Sequence, residues 1–473
     1  MTQHHYNVIV VGGGVSGAAL FYELGRYTDA SKICLLEKYG SLAALNSNGS
    51  ANSQTIHCGD IETNYTLEKA KNVKRTAKMV EKYCLQHKLE DKVMFAHQKM
   101  AIGVGYEEVA YIKNRFEEFK SLYPYLELYN KEQLAEMEPA IIYDKNGQER
   151  PEDIVGMGAK GQYTTVDFKG LSDSFIDETI KIEDKVTDIF FNNEVKNIQK
   201  IGSTYHIQTT MSNFTADFVV VNAGAHSLFL AHKMGHGHDF GCLPMAGSFY
   251  LADRKILNGK VYMVQNPKLP FAALHGDPDI LVNGFTRFGP TALALPKLER
   301  FRSGTYIDFI KTLRFDHNII KIFYDLLKDS DIRKYVFKNF MFEVPYINKK
   351  LFVQDARKIV PSLSKDDISY AKGFGGVRPQ ILDKKKQKMM LGEASINTGE
   401  GIIFNMTPSP GATSCLGNAV RDVEVICEHL NLKFDKQKFE DELVEKEAIE
   451  DQSVEKEPIE DQSVEKEPTQ GDE

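Results

Sequence analysis

The stretch Tyr6-Asn-Val-Ile-Val-Val11-Gly12-Gly13-Gly14-Val15-Ser16-Gly17 decides how this chain folds. Its first half is a short, largely β-branched apolar run, which suits a strand buried on both faces in a parallel sheet. Its second half fits Gly-x-Gly-x-x-Gly. Each glycine answers a separate demand: Gly12 makes the tight turn, Gly14 leaves room for a pyrophosphate, and Gly17 lets helix and strand pack closely. Ala18-Ala-Leu-Phe-Tyr-Glu-Leu24 continues as a helix whose first amides face the phosphates. A second apolar run, Ile33-Cys-Leu-Leu36, ends in Glu37, 20 residues past Gly17. An acid at that distance binds ribose hydroxyls and repels a 2′-phosphate. Strand, turn, helix, strand and acid in register form a far more specific signal than the glycines alone.

Gly156-Met-Gly158-Ala-Lys-Gly161 also spells Gly-x-Gly-x-x-Gly. The next seven residues, Gln-Tyr-Thr-Thr-Val-Asp-Phe, read as a strand instead of a helix, and no acid stands beyond a second strand. This second stretch therefore reads as a loop, and the chain carries one dinucleotide site.

Of 473 residues, 42% are hydrophobic and 26% charged, as in a soluble globular protein long enough for two domains. No apolar run is long enough to cross a bilayer, and the N-terminus lacks the basic and apolar regions of a secretory signal. Six scattered cysteines without a CxxC argue against a disulfide scaffold, a zinc module or an iron–sulfur cluster. The acidity is local. Residues 444–473 hold 12 Asp or Glu and 3 Lys, a net of −9 against −8 for the whole chain, so the body carries about +1. Such a body gives no reason to expect nucleic-acid binding. The acidic stretch is a ten-residue repeat beginning at Val444, Val454 and Val464, too poor in apolar side chains to fold, and it reads as a disordered extension.

Two more glycine-bearing turns come much later. Phe218-Val-Val-Val-Asn-Ala-Gly224 is a buried strand ending in a turn, and Asn405-Met-Thr-Pro-Ser-Pro-Gly411-Ala-Thr-Ser-Cys415 leads into a helix. A cofactor domain assembled from separated pieces favours FAD over NAD. The expected fold is α/β (α+β overall). A Rossmann-like FAD-binding domain takes residues 1–98, 151–240 and 373–443. An inserted mixed β-sheet substrate domain takes 99–150 and 241–372, with a helical insert over 297–351, and the repeat occupies 444–473.

These segments resemble FAD-dependent oxidoreductases of the D-amino-acid oxidase and glycerol-3-phosphate dehydrogenase type, and among them the malate:quinone oxidoreductase family in its epsilon-proteobacterial form. The resemblance rests on Ala51–Tyr65, Gln98–Gly105, Val261–Pro278, Gly289–Leu293, Gly373–Gln380 and Asn405–Cys415, and covers most of residues 6–432 with the acidic repeat outside it. L-2-hydroxyglutarate dehydrogenases share the Asn-Ser-x-x-Ile-His-x-Gly and Phe-x-x-x-His patterns. The resemblance implies oxidation of malate to oxaloacetate, with non-covalent FAD passing electrons to membrane quinone. An L-2-hydroxyglutarate dehydrogenase or oxidase is the alternative, and a non-catalytic nucleotide-binding protein a second one.

The site residues follow from the same resemblance. Gly12, Gly14, Gly17, Glu37, Asn52, Ser53, Val195, Gly224, Gly411, Ala412 and Thr413 are expected to hold the FAD. Oxidising a 2-hydroxy acid needs a base for the hydroxyl proton, and histidine titrates in the right range. His275 is favoured as that base, with His57 as its partner or an oxyanion donor, and the roles are open to exchange. Arg378 and Arg287 are expected to clamp the carboxylates, since arginine binds them bidentately. His232-x-x-x-His236-x-His238 mimics a metal motif, but Gly235 and Gly237 interrupt the helix it would need, and no metal is expected. Lys297 to Leu351 interleaves basic and aromatic residues, as suits a peripheral contact with the cytoplasmic membrane's inner face.

Overall fold

The structure is a computed structural model and describes residues 4–265, 273–390, 392–408 and 410–445. The acidic repeat beyond residue 445 and Phe271, one end of the Phe-x-x-x-His pattern, lie outside the described residues.

The opening strand β1 (His4–Val11) lies inside an eight-stranded sheet. It pairs in parallel with β2 (Lys32–Leu36) on one side and with the strand Asn213–Val221 on the other. The strands Ile402–Met406 and Val186–Phe190 extend the parallel core outward. Val8 and Val10 point into one hydrophobic layer, and Ile9 and Val11 into the other. This two-sided burial is why the strand reads as a continuous apolar run. Helix α1 (Val15–Tyr27) covers one face together with the helices Phe168–Ile180 and Cys415–Leu430. The carboxyl ends of β1, β2 and Asn213–Val221 open on the same side, where an open α/β sheet places its ligand.

A second sheet of eight strands holds Lys99–Val104, Glu127–Tyr129, Ile154–Ala159, Tyr250–Ala252, Lys260–Met263, His275–Pro278, Thr286–Gly289 and Ser369–Tyr370. Gly156 and Gly158, expected in a loop, instead lie in a fully buried strand of this sheet, and only Gly161 sits in the turn after it. A Cβ at Gly158 would meet the Lys99 carbonyl oxygen at 2.3 Å, so close strand packing explains that glycine. A smaller sheet pairs Phe240–Ala246 with Val377–Asp383, which places Arg378 opposite Met245.

Residues 42–65 cross between the sheets with almost no regular structure. Side-chain bonds set their path: Asn52 Nδ2 donates to the Asn48 carbonyl, and Asn46 Oδ1 accepts from the Val377 amide. The insert forms the helices Tyr306–Leu313, His317–Lys328, Ser330–Met341 and Asn348–Ala356. Asp316 and Asp329 cap the second and third by accepting from their first amides. Phe309, Leu313, Ile319 and Ile322 pack inward.

Candidate active site

The glycine turn makes the floor of a cavity of about 410 Å³. Gly12 adopts φ +109°, and a Cβ there would lie 2.4 Å from the Asn222 carbonyl oxygen. A Cβ on Gly17 would lie 1.9 Å from the Gly12 carbonyl oxygen, so Gly17 serves packing and not the ligand. Gly14 differs, because a Cβ there meets only Ser47 Oγ, at 3.3 Å, and would otherwise project into the cavity. Gly14 has no side chain to cap α1, and Ser47 Oγ accepts from the first helical amide, that of Val15, at 3.0 Å, while Gly14, Val15 and Ser16 line the cavity at the positive end of the helix. Glu37 closes the end of β2, its carboxylate accepting from the Gly13 amide at 2.6 Å and the Tyr39 amide at 2.8 Å. Burial pushes this carboxyl up, while the amides of Tyr39 and Gly13 draw it down. An acid held this way at a strand end suits ribose hydroxyls.

The cavity runs on past Asn52, Ser53, Val195 and Gly224 to Ala412 and Thr413. Gly224 takes φ +58°, and Gly411 lies in a turn so tight that a Cβ would meet the Thr407 carbonyl oxygen at 2.6 Å. That turn starts the helix Cys415–Leu430, whose N-terminus also lacks a side-chain cap. An elongated cavity with a helix start in its wall at two places fits a long dinucleotide with separated polar ends.

At its far end the cavity shares His57, Arg378 and Pro408 with a second, smaller one of about 100 Å³. His57 Nδ1 lies 2.7 Å from Glu62 Oε1, and its amide donates to Thr413 Oγ1 at 3.1 Å. Burial pushes the Glu62 carboxyl up, but the His57 hydrogen bond and the Lys99 ammonium outweigh it and hold it at about 2. Lys99 is fully buried, with its Nζ 2.7 Å from Asp60 Oδ1. Glu62 and Lys99 went unread in the sequence, although Glu62 stands five residues after His57.

Two of the four expected catalytic residues line neither cavity. His275 is buried with its ring stacked on Tyr262, centroids 4.2 Å apart. Its Nδ1 lies 3.0 Å from the Ala273 carbonyl oxygen, and its Nε2 lies 3.2 Å from Asp277 Oδ2. Arg287 is also buried. It donates to Asp279 from Nε at 3.0 Å and to the Gly49 carbonyl from Nη1 at 2.8 Å, between the rings of Phe249 and Phe374. Nε, Nη1 and Nη2 all donate within the protein, to Asp279, Gly49 and Asn52, which ties Arg287 into the wall between the rings.

The other end of the large cavity holds a cluster that no motif announced. Glu299, at the start of the insert, is buried and accepts from Lys38 Nζ and Tyr39 OH, with His226 Nε2 3.5 Å away. All four residues line the cavity directly beside Glu37. Burial and the nearby Lys38 ammonium push the His226 ring down to about 4, so it stays neutral. His232, by contrast, is engaged with the Gly237 carbonyl at 3.0 Å, and among the described residues no three His, Cys, Asp or Glu side chains gather to hold a metal.

The family model described as malate:quinone oxidoreductase matches residues 4–469. The chain belongs to the malate:quinone oxidoreductase family. That match runs on into the acidic repeat, beyond the segments that carry the resemblance. A probable malate:quinone oxidoreductase of Campylobacter jejuni is 54% identical over 449 residues, which are 94% of this chain and 100% of the relative. A malate:quinone oxidoreductase of Helicobacter pylori is 48% identical, over 93% of this chain and 98% of the relative. An L-2-hydroxyglutarate dehydrogenase of Nematostella vectensis is more distant, 28% identical over 90% of this chain and 92% of its own. Among solved structures, the FAD-bound L-alpha-glycerophosphate oxidase of Mycoplasma pneumoniae superposes with a TM-score of 0.61 at 21% identity, covering 91% of this chain and 96% of that one. The fold thus agrees with the α/β architecture that the malate:quinone oxidoreductase resemblance implies.

Proposed function

We propose that this protein oxidises (S)-malate to oxaloacetate with non-covalently bound FAD and passes the electrons to membrane quinone. The observation that carries this reading is the shared wall of the two cavities: His57, backed by the Glu62 carboxylate, stands with Arg378 where they meet. Gly14, Glu37, Gly224, Ala412 and Thr413 would hold the FAD, with Asn52, Ser53 and Val195 along its length. FAD bound there would supply the hydride acceptor for the substrate carbon and the relay of two electrons to the quinone.

The chain's own residues do the rest. Arg378 binds the carboxylate next to the hydroxyl and fixes the substrate against His57. With Nδ1 donating to Glu62, His57 presents Nε2 as the acceptor of the hydroxyl proton, and Glu62 stabilises the imidazolium that results. His57 is thus the base, and His275 supports the wall behind Tyr262. In this reading the first sheet would hold the cofactor, and the second sheet and the smaller one containing Arg378 would enclose the substrate.

Quinone lives in the bilayer, and no helix among the described residues is long and apolar enough to cross it. Of 23 large apolar side chains left exposed among the described residues, 13 fall between Phe301 and Ile347. Phe301, Phe315, Tyr324 and Phe337 keep 65%, 64%, 67% and 66% of their surface exposed, among lysines and arginines of the same insert. Aromatic and basic residues displayed together suit an anionic lipid surface, which supports a peripheral position on the inner face of the cytoplasmic membrane.

The test is anaerobic addition of malate to the purified yellow protein, followed by steady-state turnover with a short-chain quinone, NAD or oxygen as acceptor. Malate should bleach the flavin, and quinone should sustain turnover. A protein reduced by 2-hydroxyglutarate and not by malate would overturn the substrate, and one without affinity for FAD would overturn the whole reading.

A further inference from the structure

Arg378 and Lys69 are the two cationic side chains among the described residues that wall the smaller cavity. The fully buried cations have their anions at hand: Lys99 has Asp60 at 2.7 Å, Lys260 has Asp277 at 3.5 Å, and Arg287 has Asp279. Arg378 and Lys69 have no ion-pair partner among the described residues. The carboxylate in the same wall, Glu62, is already engaged by His57. Lys69 sits in the first turn of the helix Leu67–Gln86, its Nζ 4.1 Å from the centre of the Tyr65 ring.

Burial pushes both charged groups down. For Lys69 the pull of Glu62 and Glu393 does not make up for it, and for Arg378 the neighbouring tyrosines Tyr335 and Tyr262 do not either. A half-buried charge without a counter-ion is costly, and an anionic ligand relieves that cost. Two such charges around one small cavity call for two anionic groups on one compact ligand.

We propose that Lys69 binds the second carboxylate of the substrate, so that Arg378 and Lys69 together select a short 2-hydroxy dicarboxylate over a monocarboxylate. The proposal rests on the malate-oxidising reading above. It replaces Arg287, which donates to Asp279 and Gly49 and lines neither cavity, with a residue that lines the smaller one. A lysine suits this role because its ammonium pairs with the far carboxylate as a point charge, whereas the planar guanidinium of Arg378 fixes the group next to the reacting carbon.

The experiment uses the FAD-loaded protein and the variants Lys69→Met and Lys69→Arg. Calorimetry with succinate, a dicarboxylate that cannot be oxidised at a hydroxyl, reads binding without turnover, and butyrate serves as the one-carboxylate control. Lys69→Met should weaken succinate about 10–100-fold, the effect of losing a hydrogen bond to a charged group. Butyrate should bind both proteins alike, and Lys69→Arg should recover part of the loss. With malate, the loss should fall on KM more than on kcat. Unchanged succinate affinity and malate KM in Lys69→Met would overturn the proposal, as would equal weakening of succinate and butyrate. A wild-type protein that binds succinate through Lys69 yet does not oxidise malate would overturn the reaction and leave the carboxylate site standing.

Discussion

His57 Nδ1 and Glu62 Oε1 lie 2.7 Å apart, five residues apart in the chain, at the point where the two cavities join. A carboxylate on one ring nitrogen fixes the tautomer and leaves the other nitrogen to take a proton. His57→Ala should therefore lower the rate of flavin reduction by malate about 10²–10⁴-fold, with FAD still bound. Glu62→Gln should cost less, about 10–10³-fold, because the ring remains but loses its charged partner. His275→Ala should lower the melting temperature and slow reduction less than His57→Ala does. Anaerobic stopped-flow absorbance measures all three, and a His275→Ala variant as slow as His57→Ala at unchanged stability would reverse the assignment.

The same pair makes stability depend on pH. Glu62 titrates at about 2 in the folded protein against 4.5 for an ordinary glutamate. A depressed carboxyl contributes stability that is fully present above its unfolded value and is lost as pH falls through the folded one. The contribution is in place above the ordinary glutamate range, near 4.5, and fades as pH falls below it. Urea midpoints measured from about pH 6 down to about pH 3 should fall more steeply for wild type than for Glu62→Gln. Parallel curves would mean that the Glu62–His57 pair does not stabilise the fold.

Arg287 and Arg378 should fail in opposite ways. Removing Arg287 leaves Asp279 buried and unpaired, so Arg287→Met should lose about 3–5 kcal/mol of stability. Arg378→Met breaks no ion pair and should melt near wild type while losing about 10–100-fold in malate kcat/KM. Thermal melts alongside substrate titrations separate the two, and a stable Arg287→Met protein with a raised malate KM would return that arginine to the substrate.

What was legible in the sequence was what is local. The turn at Gly12–Gly17 and the acid at Glu37 lie within one strand–helix–strand unit, so spacing alone located them. The turns at Gly224 and Gly411 were legible for the same reason. The setting of Arg287 was not legible, because its partners converge from Gly49, Asp279, Phe249 and Phe374, distances along the chain that no motif spans. Lys69 gave no signal, since one lysine near the start of an amphipathic helix looks like any solvated lysine. Gly158 looked like a loop glycine because sequence cannot show that the Lys99 backbone presses on it.

Gly14 supplies a test of the cofactor cradle. Its Cβ would meet only Ser47 Oγ in the protein, so the fold tolerates a side chain that the pyrophosphate does not. Gly14→Val should fold and bind no flavin. Gly158→Val is a poor control, because it clashes with the Lys99 backbone at 2.3 Å. Gly161 is the better one: it has φ +69° and nothing within 4 Å, and asparagine tolerates that conformation. Gly161→Asn should keep its flavin. Absorbance of the purified variants decides, and flavin retained by Gly14→Val would remove the cradle from the turn.

Glu299 ties the insert to the cofactor end of the first sheet. Its carboxylate joins Lys38 and Tyr39, the two residues that follow Glu37, across some 260 positions of sequence. Those residues form the rim of the cavity beside the ribose-binding acid. Glu299→Gln keeps the shape but removes the charge, leaving Lys38 with Glu194 at 3.6 Å as its remaining ion-pair partner. The rim should loosen, and FAD should leave about 10-fold faster, the effect of weakening one charged hydrogen bond. Malate KM should change little, because the substrate cavity lies at the opposite end. Release is read as the rise of free-flavin fluorescence after dilution of the loaded protein, alongside the melting temperature of the flavin-free form. A flavin-free protein that melts like wild type while the loaded one releases FAD faster would show that Glu299 acts on the cofactor and not on the fold. Unchanged release would mean that the insert only rests against this end of the cavity.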